Sequence, residues 1–316
     1  MPSEVVLPRL ILLGCGYLGR ALAVEARHRG WTVEALTRNP AKARTLREEL
    51  KVGVVESDLA SNAWHSVFDP QGSWVIDCVS SGGGGIDGYR ESYRRGAESI
   101  VRWMRQRGAP VGLIYTGSTS VYPQTEGVWV DESSEARATT PLNEILLQTE
   151  GIFRQAVAEG LVSRAALLRL AGIYGPSRHY LIDRIREGHR DFPGRGDYAL
   201  NLIHRDDAVS AILSLIERWQ GVGAAIFNVA DGRPASKETI AQWTADALGK
   251  LPPIFHPGRA SERSSRRLLA AGNVPDRRIR ADKLRKATGW TPRYTDFRAG
   301  YQALLHSKDD DGEPAF

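Results

Sequence analysis

The residues best suited to chemistry sit near the start of the chain. Gly14, Gly16 and Gly19 form a G-x-G-x-x-G turn. It follows the apolar run Leu10–Leu13 and precedes a stretch with Leu18, Leu22 and Ala26 on one helical face. The run reads as a strand buried on both faces, and Gly30 as the cap that ends the helix. Each glycine has a separate task in such a turn. Gly14 permits the sharp bend, Gly16 lets a diphosphate approach the backbone, and Gly19 lets helix and strand pack closely. Free amides and the positive end of the helix then face the phosphates. The backbone of Gly14, Cys15, Gly16, Tyr17, Leu18 and Gly19 is the expected dinucleotide cradle. A glycine-rich turn without a ligand is the alternative.

The second strand, Trp31–Leu36, ends in Thr37 and Arg38. An NAD site usually places Asp or Glu here for the ribose hydroxyl. A guanidinium instead suits a 2′-phosphate by charge and by its two-pronged hydrogen-bonding geometry. Thr37 and Arg38 therefore point to NADP(H), against the plainer reading of a solvated loop arginine. Asp58 and Leu59 follow the third strand, where this fold can touch adenine, although Asp58 serves equally as a turn residue. Val79 and Ser80 end the fourth strand, and ligands of open parallel sheets bind at carboxyl ends. The glycine run Gly82–Gly85 reads as a flap over the cofactor or as a loose loop.

Strands and helices alternate through Val111–Tyr115, which implies right-handed crossovers. The expected fold class is α/β, a Rossmann-type doubly wound parallel sheet with a smaller, discontinuous carboxyl-terminal substrate domain. The expected boundaries are 1–172 plus 205–231 for nucleotide binding and 173–204 plus 232–306 for substrate, with 307–316 a disordered acidic tail. Among smaller elements, Tyr180–Arg186 and Ser236–Leu248 read as helices, with Ser236 capping the second.

The 316 residues are 42% hydrophobic, enough for a sizeable core, and 42 basic residues against 37 acidic ones give a net charge of +5. That mild excess favours anionic small ligands without requiring nucleic acid. Arg259, Arg263, Arg266 and Arg267 lack the interleaved aromatics of a stacking surface, so a loop near the cleft is the reading here. Two cysteines, Cys15 and Cys78, fit a reducing cytoplasm better than a disulfide framework. No apolar run approaches membrane-spanning length, and no metal set is recognised. The amino terminus does not read as a secretion signal.

Four further blocks join the glycine turn: TGSTSVYP (116–123), LRLAGIYGPSR (168–178), NLIHRDDAVSAI (201–212) and FNVADGRP (227–234). Together they resemble the extended short-chain dehydrogenase/reductase superfamily, in its NAD-dependent epimerase/dehydratase branch. The resemblance covers about residues 9 to 305 and implies an enzyme that moves hydride between a nicotinamide and a carbonyl or alcohol. It also implies a homodimer through the helices around 87–107 and 140–159. Thr116 joins the cofactor set, and Ser118 matches the family's substrate-orienting serine.

The family's Tyr-x-x-x-Lys, which supplies the proton and holds the ribose, should fall in the helix beginning at Pro141. Pro141 and Glu150 match its flanks, and the reactive positions are then Leu142 and Leu146. Tyrosine is absent from 130–165 altogether. The chain is thus expected to be an atypical member, with Tyr122, Tyr174, His179, His204 or solvent left to manage the proton. Tyr174 is placed in the catalytic set, although packing is its simpler role. His204 reads more simply as a partner of Asp207. Arg178 and His179 lie in an expected substrate-facing loop, where Arg178 suits an anionic substrate group or is simply a solvated arginine. The expected activity is an NADP(H)-dependent oxidoreductase or epimerase on a small polar substrate; the alternative is a non-catalytic NADP(H)-binding sensor or regulator.

Overall fold

The computed structural model describes residues 7–81, 84–259 and 275–306. Strands β1 (Arg9–Leu13), β2 (Thr32–Thr37), β3 (Gly53–Glu56), β4 (Ser73–Asp77) and β5 (Gly112–Ser118) are separated by helices, except that β3 leads to β4 without one. Those helices are α1 (Tyr17–His28), α2 (Pro40–Leu50), α3 (Gly85–Tyr89) and α4 (Gly96–Arg107). There follow β6 (Val128–Val130), α5 (Pro141–Ala158), β7 (Arg164–Leu170), β8 (Gly172–Tyr174) and α6 (Tyr180–Arg186). Next come β9 (Asp191–Pro193), β10 (Ala199–Leu200), β11 (Leu202–His204), α7 (Arg205–Arg218) and β12 (Gly223–Val229). The chain closes with β13 (Ala235–Ser236), α8 (Lys237–Ala247), β14 (Ile254–His256), β15 (Arg277–Ile279), α9 (Asp282–Thr288) and α10 (Phe297–His306).

Seven strands form one sheet in the order β12-β7-β5-β4-β1-β2-β3, and every pairing in it is parallel. This is the expected doubly wound α/β fold. The strand order reverses between β1 and β4, whose last residues Leu13 and Asp77 are register partners. Such a switch point opens a crevice above the carboxyl ends.

Helices cover both faces because alternate strand residues are apolar in both directions. Leu10, Leu12 and Ile76 bury one face under Leu18, Leu22 and Ala26 of α1 and the apolar side of α7. Ile11, Leu13 and Val75 bury the other under Trp103 of α4 and Phe153 of α5. A third cluster gathers Tyr174, Leu181, Ile182, Phe192, Ile240, Phe297 and Tyr301, drawn from separated stretches of chain.

Local signals explain the helix starts. Asn39 accepts from the Lys42 amide with Pro40 at the first position of α2, Thr140 and Pro141 do the same for α5, and Ser236 accepts from the Thr239 amide at 3.0 Å. Gly30, just past α1, adopts φ +77°. The single helix expected over Asp87–Arg107 is instead interrupted by a π-helical turn, Arg90–Arg95. The parallel pairing of β15 with β6 joins segments that the sequence does not connect. Gly82, Gly83, Arg263, Arg266, Arg267 and 307–316 lie outside the described residues. Among those described, no helix is long and apolar enough to cross a membrane, and no group of three His, Cys, Asp or Glu is placed to hold a metal ion.

Candidate active site

The three glycines of the turn are glycines for different reasons. Gly14 has φ +94°, and a Cβ there would lie 2.9 Å from Val79. A Cβ on Gly19 would overlap the Gly14 carbonyl oxygen. Gly16 has nothing within 4 Å of where its Cβ would stand. Folding explains the first and third; Gly16 instead borders open space. Helix α1 then starts without a side-chain cap and without an acidic residue in its first turn, so its leading amides face an anion's natural place. A cleft of about 910 Å³ starts at Gly16 and Tyr17 and runs along α1 past Arg20 to Arg29, between Lys42 on one side and Arg205 and Val209 on the other; neither Arg38 nor Ser118 lines it. Cys15 and Leu18 turn their side chains into the core and can offer a ligand only backbone. Burial pushes the Cys15 thiol up to about 12, against the pull of Arg20 and Lys42.

At the end of β2, Thr37 is buried and accepts from the Asn39 amide at 3.3 Å. Arg38 is exposed, 3.9 Å from the Asp58 carboxylate. Asp58 in turn accepts from the Ala60 amide at 2.9 Å. Val79 lies against Gly14 and Ser80 is exposed. These residues share the carboxyl end of the sheet with the glycine turn. Leu59 and Thr116 are there too, but point inward. Leu59 packs where a Cβ on Gly96 would sit at 2.8 Å, and Thr116 donates to the Asp77 carbonyl at 2.9 Å.

Ser118 ends β5 half-buried. Its Oγ accepts from the Ser120 amide at 3.1 Å, which leaves its O–H to donate. The neighbouring framework is dense. Asn143 of α5 donates to Ser120 Oγ at 3.2 Å. Arg277 of β15 donates to the Thr119 carbonyl at 2.9 Å across 158 residues of chain. Sequence reasoning missed both, and for Arg277 no local signal exists. Leu142 is half-buried on α5 and Leu146 is 4% exposed, so apolar side chains fill the two positions assigned to acid–base chemistry.

Several candidates for the proton fall elsewhere. Tyr174 is buried in the third cluster, against Tyr301, and its hydroxyl fills the room that a Cβ on Gly300 would need. Its pKa is raised by burial. This geometry is that of a packing residue, the simpler of the two roles expected for it. Tyr122 is buried and donates to Asn228 Oδ1 at 2.9 Å. Burial lowers the His204 pKa to about 4, and its Nδ1 accepts from the Asp206 amide at 3.2 Å as the cap of α7. Asp207, the partner expected for it, instead accepts from the Arg293 and Tyr294 amides at 2.7 and 3.0 Å. His179 is buried, with Nδ1 2.7 Å from Asp183, and so does not line an open loop as expected. Arg178 is exposed, its guanidinium carbon 5.4 Å from the centre of the Tyr17 ring.

Asp77, unmarked in the sequence reading, ends β4 fully buried. One carboxyl oxygen accepts from the Val79 amide at 3.3 Å, the other has no hydrogen-bond partner, and burial pushes the group up to about 7. A charged residue closing an otherwise apolar strand, Trp-Val-Ile-Asp, was the available signal.

A parallel sheet with a switch point, a glycine turn with one glycine facing space and a serine at the end of β5 define a nucleotide-binding α/β protein. The NAD dependent epimerase/dehydratase family model matches residues 10–230, and the chain belongs to that family. It is 25% identical over 261 residues to Protein YeeZ of Escherichia coli K12, a match covering 78% of this chain and 86% of that protein. Its fold is similar to that of UDP-glucose 4-epimerase from Thermotoga maritima, solved with UDP-glucose. There the TM-score is 0.77 at 16% identity, over 94% of this chain and 100% of the other. UDP-glucose 4-epimerase from Bifidobacterium longum, solved with NAD+ and UDP, is similar at TM-score 0.75 and 18% identity, over 96% and 100% of the two chains.

Proposed function

We propose that the protein is an NADP(H)-dependent oxidoreductase or epimerase acting on a small polar carbonyl or alcohol. The observation that carries this reading is Gly16, whose missing side chain leaves room beside the uncapped start of α1. Family membership supports a nicotinamide dinucleotide as the occupant. Arg38, exposed at the end of β2, supports the phosphorylated form, because an Asp or Glu there would repel a 2′-phosphate. When bound, the nicotinamide supplies or accepts hydride. Ser118 donates its O–H to the substrate oxygen and orients it. Leu142 and Leu146 can neither move a proton nor hold a ribose hydroxyl, so the proton must travel by another group or by water.

Titration calorimetry with NADPH and NADH tests the cofactor, and loss of reduced-nicotinamide absorbance over a panel of carbonyls tests turnover. NADPH should bind more tightly than NADH. Arg38→Ser should weaken NADPH by roughly tenfold and leave NADH nearly unchanged. Equal affinity of the wild type for both nucleotides would remove the phosphate assignment; no binding of either would remove the whole reading.

The buried Leu146 favours a second reading, a protein that binds NADP(H) without turning it over and acts as a sensor or regulator. Tight binding with no consumption across the panel would select it.

A further inference from the structure

Tyr17, the first residue of α1, stands beside the glycine turn, and its hydroxyl donates to the Pro176 carbonyl at 2.9 Å. Pro176 belongs to a tight turn in which Gly175 and Arg178 exchange backbone hydrogen bonds at 3.3 and 3.0 Å. Ser177 in that turn has φ +56°. Gly175 has φ +152°, and a Cβ on it would lie 2.8 Å from the Tyr17 hydroxyl oxygen. Only glycine lets the phenol close on this turn. Two guanidinium groups then sit by the Tyr17 ring, Arg178 at 5.4 Å and Arg205 at 5.3 Å from its centre. Arg205 is also held by Asp206 at 2.9 Å.

Arg178 is exposed, and its guanidinium stands over the ring of Tyr17, the first residue after the glycine turn. A cation held there lies where a dinucleotide's phosphates must pass.

Resting on the nucleotide reading above, we propose that Arg178 is a side-chain ligand of the dinucleotide's diphosphate, with Tyr17 holding it in place. The amides of the turn supply partial charges; Arg178 adds a full one with two parallel donors. Contact with the ring orders a long side chain before the ligand arrives, which lowers the entropy lost on binding. Its task differs from that of Arg38. Arg38 distinguishes two nucleotides, whereas Arg178 touches the part they share. The same turn follows β8, which pairs with β11, and leads into α6 of the third cluster. A nucleotide gripped by Arg178 therefore also steadies the edge of the substrate side.

Titration calorimetry of Arg178→Gln with NADPH and with NADH decides the matter. Both affinities should fall about tenfold, their ratio should stay as in the wild type, and Arg178→Lys should recover part of the loss. The ligand-free melting temperature should not move, since Arg178 is exposed. Unchanged affinities in Arg178→Gln, or a loss confined to NADPH, would overturn this inference alone. A wild type that binds neither nucleotide would overturn it together with the nucleotide reading.

Discussion

The glycine turn and the first turns of α5 sit at the same end of the sheet and are built to opposite standards. Around the glycine turn, the positions that could meet a ligand have the chemistry for it: Gly16 leaves space, Arg38 is exposed, and the start of α1 is uncapped. At α5 the scaffold is just as complete. Thr140 caps the helix, Asn143 ties it to Ser120, and Glu150 clasps the buried Arg169 through two hydrogen bonds at 2.9 and 2.8 Å. Leu142 and Leu146, where the family resemblance places the proton chemistry, are apolar. A helix can thus be firmly held whatever its side chains could do in a reaction, because folding depends on the packing and capping contacts and not on reactive groups.

The largest effect expected from testing this contrast is at Arg169. Arg169→Ala leaves the Glu150 carboxylate buried without its main partner and should destabilise the protein by about 3–5 kcal/mol, read by denaturant unfolding. A small loss would mean that the α5 scaffold is looser than its geometry. Asp77 comes next, as the exception within the nucleotide half. Its pKa of about 7 stands above the ordinary 3.8, so the folded state keeps a proton that the unfolded chain releases between those values. This group's stabilising contribution is fully present at acid pH, falls as pH rises through that window, and is flat above it. Asp77→Asn should therefore gain on the wild type with rising pH, by roughly 2–4 kcal/mol at the plateau. Parallel stability curves for the two proteins would show that Asp77 does not titrate in that range.

Smaller effects separate the glycines. Gly19→Ala forces a methyl into the Gly14 carbonyl and should cost about 1–3 kcal/mol of stability. Gly16→Ala meets nothing and should change stability by under about 0.5 kcal/mol, while weakening nucleotide binding severely. If both lost the same stability, the distinction between a glycine for packing and a glycine for a ligand would fail.

Much of the nucleotide half was legible because its signals are local. The apolar run of β1, the glycine spacing and the Leu18–Leu22–Ala26 stripe lie within one stretch of chain, and beyond that half Ser236 was legible for the same reason, as the cap of the helix it immediately precedes. The site beyond Ser118 was not legible. Arg277 reaches Thr119 only because two three-residue strands, β15 and β6, find each other. Nothing in Val-Trp-Val or Arg-Arg-Ile announces that pairing. The π-helical turn is also silent in sequence, since its residues suit an ordinary helix. Tyr174 and His204, whose side chains could carry chemistry, are placed by the fold against Gly300 and as the cap of α7, which no local signal announced.

Two things were settled by the order of amino acids alone: a doubly wound nucleotide fold, and the want of any tyrosine or lysine between residues 130 and 165. Which groups surround Ser118, and which arginines stand by Tyr17, was decided only by the folded chain. Periodicity and turn chemistry act over a few neighbouring residues and can be read directly. Contacts between distant segments depend on how all the elements pack at once, and no single stretch holds that information.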